Sequence, residues 1–169
     1  KKKDGYLRYK SILYLSNKRA FACSMSWDFV DYGFKNYIEL EKKSIAKVAR
    51  VVCSIESIKY CRDKYDLVII DESESIADNM SGEMLLKNNP IENLTKFYTI
   101  LNNSKRSFFM DAYLGQRTFN MIEDLNLIDK NPLHLENSFK NEERKYSLLS
   151  KEELTATIRD KLNDGKRCV

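Results

Sequence analysis

The sequence predicts an α/β fold: a mostly parallel sheet with helices on both faces. Two observations predict it. Short β-rich runs alternate with helical periodicity along the 169 residues, the pattern of strand–helix–strand crossovers. In addition, Tyr65 to Ile76 (YDLVIIDESESI) sets an apolar run, Leu67 to Ile70, ahead of two adjacent carboxylates, Asp71 and Glu72. A short apolar run bounded by polar residues reads as a strand buried on both faces. The C-terminal end of such a strand is where open α/β sheets place their ligands.

Each element follows from local pattern. Ile12–Ser16 (ILYLS) is the first strand. A helix runs from Asn17 to about Tyr32, with Phe21, Met25 and Phe29 four residues apart, and Gly33 ends it. Val48–Cys53 (VARVVC) is the second strand, Ile55–Arg62 a short helix, and Asp66–Asp71 the third strand. Pro90 suits a first helical turn, and Ile91, Leu94, Phe97, Tyr98 and Leu101 make one apolar face. Lys105–Asp111 (KRSFFMD) is the fourth strand. Gly115–Leu125 is a helix with Phe119, Ile122 and Leu125 inward. Leu133–Leu135 reads as a fifth, short strand. The polar stretch Asn137–Lys145 reads as a linker. The next helix spans Ser150 to Asp164, with Ser150 and Glu153 at capping-box spacing, and Gly165 closes it. Lys166–Val169 then reads as the opening of another strand. The division is residues 1–138 as one domain, and 139–169 as a linker and the start of a second.

Composition narrows the class. Hydrophobic content of 43% and charged content of 32% describe a folded domain rather than a disordered one. No run approaches the roughly 20 apolar residues of a membrane span, and Lys1–Lys3 are followed by no apolar signal segment. A net charge of +4 permits a nucleic-acid partner without demanding one. Cys23, Cys53, Cys61 and Cys168 form no C-x-x-C pair, and His134 is the single histidine. This argues against zinc and for a reduced, intracellular setting. Trp27 and ten tyrosines could stack on bases, but Phe21 and Phe29 beside Trp27 favour core packing for it.

Asp71 and Glu72 can divide their labour. Successive strand residues point to opposite faces, so one acid can hold a hydrated Mg²⁺ while the other handles a proton. That is the Walker B arrangement of a nucleoside triphosphatase.

Four polar sites fall in order at the C-terminal ends of predicted strands: Ser16-Asn17-Lys18-Arg19, Cys53-Ser54-Ile55-Glu56-Ser57, Asp71-Glu72-Ser73-Glu74 and Met110-Asp111-Ala112. Their order and spacing resemble the first motor domain of a superfamily 2 helicase. LSNKRAF looks like motif Ia, VVCSIESI like motif Ib, DESE like motif II and FFMDAYLGQRTF like motif III. A DEAD or DEAH box protein carries a Ser-Ala-Thr type motif III, whereas this chain has Asp-Ala. That substitution, with SIESI and IIDESESI, is similar to the herpesvirus-type replication origin-binding protein family. Members and relatives of that family occur in large DNA viruses and plasmid-like elements. The resemblance covers roughly residues 10 to 169.

The resemblance implies a RecA-like, P-loop NTPase-type motor domain, truncated here. It implies ATP-dependent DNA unwinding in replication, with ATP and Mg²⁺ as cofactors. The partners would be single-stranded DNA or the origin duplex, and the remainder of the helicase chain, with no membrane. The setting would be a cytoplasmic or nuclear replication site. Asp71 would hold Mg²⁺ through water, and Glu72 would orient or deprotonate the attacking water, both beside the nucleotide. Asp111 would sense nucleotide state and couple it to domain closure; a strand-end helix cap is its alternative. Ser16, Lys18, Arg19, Ser54 and Ser57 would contact a DNA backbone, which asks only for charge or hydroxyl donors. Ordinary helix-start chemistry is the alternative for them, and evenly so for Ser54 and Ser57. Ser73 and Glu74 complete motif II or cap the following helix.

One departure is large. The P-loop, G-x-x-x-x-G-K-[ST], holds phosphates with backbone N–H groups and a Lys. The glycines are Gly5, Gly33, Gly82, Gly115 and Gly165, and none stands in such a motif. In the family it would lie before Lys1, so the chain reads as cut at both ends. Two classes of function follow: part of an ATP-dependent DNA helicase, or a nonenzymatic helicase-like module that binds nucleic acid or a protein. A nuclease using Asp71, Glu72 and Asp111 is weaker, because no Lys or His stands by the acids. An intact P-loop upstream of Lys1 would favour the motor.

Overall fold

The structure is a computed structural model that describes residues 9–81, 90–125, 133, 135 and 150–163. The chain divides into two units, Lys1–Pro132 and Leu133–Val169. The first holds a five-stranded sheet built from β1 (Ile12–Ser16), β2 (Lys35–Asn36), β3 (Arg50–Ser54), β4 (Leu67–Asp71) and β5 (Arg106–Met110). All pairs are parallel, in the order β2-β3-β1-β4-β5. The predicted α/β class is what the chain adopts, and an all-parallel sheet with helices is consistent with a RecA-like domain.

Strand alternation sorts the core into two layers. Leu13, Leu15, Val51, Cys53, Val68 and Ile70 face one side. There they pack against Ile58 of a 3-10 turn (Ile55–Tyr60), Ile76 of α3 (Ser73–Ser81) and Phe97, Ile100 and Leu101 of α4 (Pro90–Asn103). Tyr14 and Val52 face the other side, against Ala22 of α1 (Arg19–Asp28). Helices therefore cover both faces. Phe108 and Met110 share α1's side by register with Ile69 and Asp71. They stay 48% and 40% exposed at the β5 edge.

Several elements differ from the sequence reading. The first helix ends at Asp28 and gives way to a 3-10 turn, Val30–Tyr32, which Gly33 closes in the left-handed region at φ 76°. Phe29 sits at the break because its ring joins Tyr14 and Phe34, at centroid distances of 5.6 and 5.3 Å. The buried stripe of α1 runs through Ala22 and Ser26, with Met25 and Phe29 beside it. Trp27 falls off that stripe and is 77% exposed. Strand β3 starts two residues later than expected. Ile91 is exposed at the start of α4. Two short elements without a periodic signature, β2 and α2 (Lys42–Ile45), stand between α1 and β3.

Helix α5 (Gln116–Asp124) buries Thr118 and Met121, and Phe119 points outward. Thr118 takes the inward place because its hydroxyl meets Ser73 Oγ at 3.2 Å. In the second unit, Leu133 and Leu135 are exposed and belong to no strand. Helix α6 (Lys151–Asn163) begins with the expected capping box: Glu153 Oε2 accepts the Ser150 N–H at 2.8 Å, and Ser150 Oγ accepts the Glu153 N–H at 3.3 Å. His134, Cys168, Gly165, the stretch from Asn137 to Lys145 and the closing residues 166–169 lie outside the described residues. No described helix is long and apolar enough to cross a membrane.

Candidate active site

Topology singles out one crevice. The chain leaves β1 toward the β3 side of the sheet, and it leaves β4 toward the β5 side. The two connections part above the C-terminal ends of β1 and β4, the switch point where open sheets bind ligands. Asp71 ends β4 at this point, and Ser16 ends β1 beside it.

Asp71 is held at both oxygens. Tyr14 donates its hydroxyl to Asp71 Oδ2 at 2.5 Å, and the Glu72 N–H donates to Oδ1 at 3.0 Å. Burial, then the bond and the charge of Asp71, then Glu72, push the Tyr14 hydroxyl's ionisation well above its usual range. Glu72 adopts φ 53°, the left-handed region that side chains rarely enter. A residue held there costs about 1–2 kcal/mol, and such strain gathers at sites that the surrounding fold over-determines. The kink turns the chain from β4 into α3, where the Ile76 N–H donates to the Glu72 carbonyl at 3.0 Å.

The next two strand ends are clasped. Asp111, past the end of β5, accepts the Glu74 N–H on Oδ2 at 3.0 Å and the Tyr113 N–H on Oδ1 at 2.9 Å. Glu74 Oε1 in turn accepts the N–H groups of Gly115 at 2.7 Å and Thr118 at 2.9 Å. Each acid thus caps the helix that follows the other's strand. Burial pushes the Glu74 carboxyl up. The N–H and hydroxyl of Thr118, the Gly115 N–H and the charge of Arg117 outweigh it, so the carboxyl sits below its ordinary range.

The residues expected to meet DNA divide by burial. Lys18 and Arg19 are exposed at the start of α1. Ser16 is buried, and its hydroxyl is engaged with the Lys18 backbone, accepting the N–H at 3.3 Å and donating to the carbonyl at 3.2 Å. Ser54 lies beside Ser16 in register, also buried, and its hydroxyl has no hydrogen-bond partner among the described residues. Ser57 is half-buried in the 3-10 turn. The fold therefore brings Asp71, Glu72, Asp111, Ser16, Lys18, Arg19, Ser54 and Ser57 to one edge of one sheet. Sequence reasoning missed Tyr14, and it left Glu74 undecided between motif and cap. A tyrosine two residues before the end of an otherwise apolar strand was the available signal for Tyr14.

Magnesium fits this donor set. Among the described residues no three acidic, cysteine or histidine side chains converge into a metal cage. Asp71 is a single carboxylate at a crevice mouth, and Mg²⁺ is held in that manner, by one or two carboxylates with phosphates and waters supplying the rest.

A sequence profile described as "Origin of replication binding protein" matches residues 6–135. The chain belongs to that family. A protein of Acanthamoeba polyphaga mimivirus, named as a candidate replication origin-binding protein, is 30% identical over 128 residues, covering 68% of this chain and 16% of its own length. The replication origin-binding protein of Human herpesvirus 6A (strain Uganda-1102) is 28% identical over 110 residues, covering 63% of this chain and 14% of its own length. That of Human herpesvirus 6B (strain Z29) is 28% identical over 107 residues, with 62% and 13% covered. The chain thus spans about one-seventh of the length of the relatives it matches, and the family match contains every residue of the crevice and the clasp.

Proposed function

We propose that this chain is part of an ATP-dependent DNA helicase of the origin-binding type that acts in DNA replication. The observation that carries the reading is one of placement: Asp71 and Glu72 stand at the switch point of a parallel sheet, and Glu74 and Asp111 tie them to the next strand end. Residues 1–138 would form the larger part of a first motor domain, and 139–169 the passage to a second.

The roles follow from position. Asp71, fixed at both oxygens, would hold the water shell of a magnesium ion. Bound Mg²⁺ would supply charge neutralisation on the nucleotide's phosphates. Glu72 would orient the attacking water and take its proton. Asp111 would transmit the state of this crevice to the loop that opens α5, because the Glu74 and Tyr113 N–H groups both rest on it. Lys18 and Arg19, exposed on the same edge, would contact DNA phosphates, a sequence-independent contact. The phosphate cradle would come from a part of the protein outside this sequence. A second reading, a nonenzymatic nucleic-acid or protein-binding module, would follow if the full-length protein lacked a P-loop upstream of Lys1.

The test is Glu72→Gln in the full-length protein. The change keeps size and hydrogen bonding but removes the base, so turnover should vanish while ATP binding stays largely intact. DNA unwinding at the normal rate in this variant would remove Glu72 from the chemistry, and a full-length protein that neither hydrolyses ATP nor unwinds DNA before any substitution would leave the binding module.

A further inference from the structure

We infer that Tyr14 is a positioning residue for Asp71, setting from the neighbouring strand the orientation in which that carboxylate meets a metal's water shell. The inference rests on the motor reading above, and four observations support it. The Tyr14 hydroxyl lies 2.5 Å from Asp71 Oδ2. Register puts Tyr14 opposite Ile69, so Asp71, two residues on, is its diagonal neighbour on the same face, within reach of a long aromatic side chain. The ring is 3% exposed and tilts against Phe29 at 5.6 Å, which fixes where the hydroxyl points. Asp71 Oδ1 is occupied separately by the Glu72 N–H at 3.0 Å, so the two bonds together stop rotation of the carboxylate.

A core position alone does not account for the hydroxyl. Phenylalanine would fill the same space beside Val52 and Ala22 without placing a polar group in an apolar layer, which costs free energy unless it is bonded. Groups that hold a metal-binding carboxylate from behind govern metal affinity even though they never touch the metal. Tyr14 stands in that relation to Asp71, and its strand also carries Ser16 and leads to Lys18 and Arg19. One strand thereby contributes to both the nucleotide crevice and the proposed DNA-facing edge.

The experiment compares Tyr14→Phe and Asp71→Asn with the unaltered full-length protein. Binding of Mn²⁺ in the presence of ADP is read by electron paramagnetic resonance, and melting temperature is read alongside. Tyr14→Phe should weaken Mn²⁺ binding about tenfold, the lower end of the effect of losing such a supporting bond, with metal-free ADP affinity unchanged. A second readout is independent of metal: the unaltered chain should show a slowly exchanging hydroxyl proton resonance from Tyr14, absent in Tyr14→Phe and shifted in Asp71→Asn, whose amide oxygen is a weaker acceptor than a carboxylate. Unchanged Mn²⁺ affinity in Tyr14→Phe, with Asp71→Asn impaired, would overturn the role of Tyr14 alone. Unchanged Mn²⁺ affinity in Asp71→Asn would overturn the metal-site reading beneath it. Absence of the hydroxyl resonance in the unaltered chain would remove the bond and the inference with it.

Discussion

Glu74 and Gly115 are in such close approach that a methyl group on Gly115 would stand 3.0 Å from Glu74 Oε2 and 3.1 Å from its carboxyl carbon. The Gly115 backbone is extended, at φ −107° and ψ −175°, so any residue could adopt its conformation. Glycine is required there for space. Without a side chain, the backbone comes near enough for its N–H to reach the Glu74 carboxylate at 2.7 Å.

Gly115→Ala should therefore act through Glu74. The carboxylate is the far end of a flexible side chain and will move aside, releasing the N–H groups of Gly115 and Thr118. Losing a helix cap costs about 0.5–2 kcal/mol, and each kcal/mol lowers Tm by about 2–4 °C in a protein of this size. Glu74→Ala should cost a similar amount, and the double variant little more than either single, because both remove one interaction. Additive losses in thermal melts would show that the two residues act separately.

Acid should weaken the fold through Glu74 and Asp66. The ion pair with Lys105, at 2.7 Å, and the Ser11 and Lys10 N–H groups hold the Asp66 carboxyl well below its ordinary range. Glu74 is also lowered. Both acids bind a proton more weakly folded than unfolded. Their contribution is whole above the unfolded carboxyl values, about 3.9 and 4.3, and fades as the pH falls through the folded ones. The unaltered chain should lose stability below about pH 4.3 more steeply than an Asp66→Asn, Glu74→Gln variant. Parallel acid arms in denaturant titrations at stepped pH would contradict this.

The left-handed backbone at Glu72 reverses an ordinary preference. Glu72→Gly should be more stable than Glu72→Ala by about 1 kcal/mol, since glycine enters this region freely and alanine does not. Denaturant midpoints of the two variants measure it directly. Alanine proving equal or better would mean that the kink is not held in solution.

The purified 169-residue chain should hydrolyse no ATP above background. It has the acids at the crevice but no phosphate cradle in its sequence. Magnesium-dependent ATPase in the fragment, abolished by Glu72→Gln, would mean that the nucleotide sits elsewhere than proposed.

Asp111→Ala in the full-length protein separates two roles. If Asp111 couples the crevice to the DNA track, the variant should keep some ATPase but open fewer base pairs per ATP consumed. Its bonds to the Glu74 and Tyr113 N–H groups also make it a cap, so Tm should fall. An unchanged ratio with a lower Tm would leave it as a cap alone.

Strands were legible where burial on both faces wrote a continuous apolar run, as in Leu67–Ile70, and where length gave the run room to show. β2, two residues long, offers no such run. The aromatic residues misled most. Phe119 completes an attractive periodic stripe and Trp27 stands among aromatic neighbours, yet Ser26 and Thr118 hold the inward places. Hydrogen bonds let them do so: Ser26 Oγ donates to the Cys23 carbonyl at 2.8 Å and accepts from Asn36 Nδ2 at 3.2 Å, and Thr118 meets Ser73. Polar satisfaction outranked side-chain size, and no hydropathy pattern reports it. In the site, Asp71 and Glu72 could be placed because one strand end carries both. Tyr14 could not, because its meaning arises from register across 57 residues of sequence.

The central place of β1 also governs how the chain can fold. β1 leaves the ribosome before either of its neighbours, for Ile12 pairs with Arg50 on one side and with Leu67 on the other. The sheet cannot grow outward by adding adjacent hairpins. One long loop must close before the middle of the sheet gains any pairing, and a second before both edges of β1 are paired, which makes assembly slow for a domain of this size. Until Leu67–Asp71 emerges, the strand that later holds Asp71 in place has an unpaired edge, open to non-native pairing with other nascent chains.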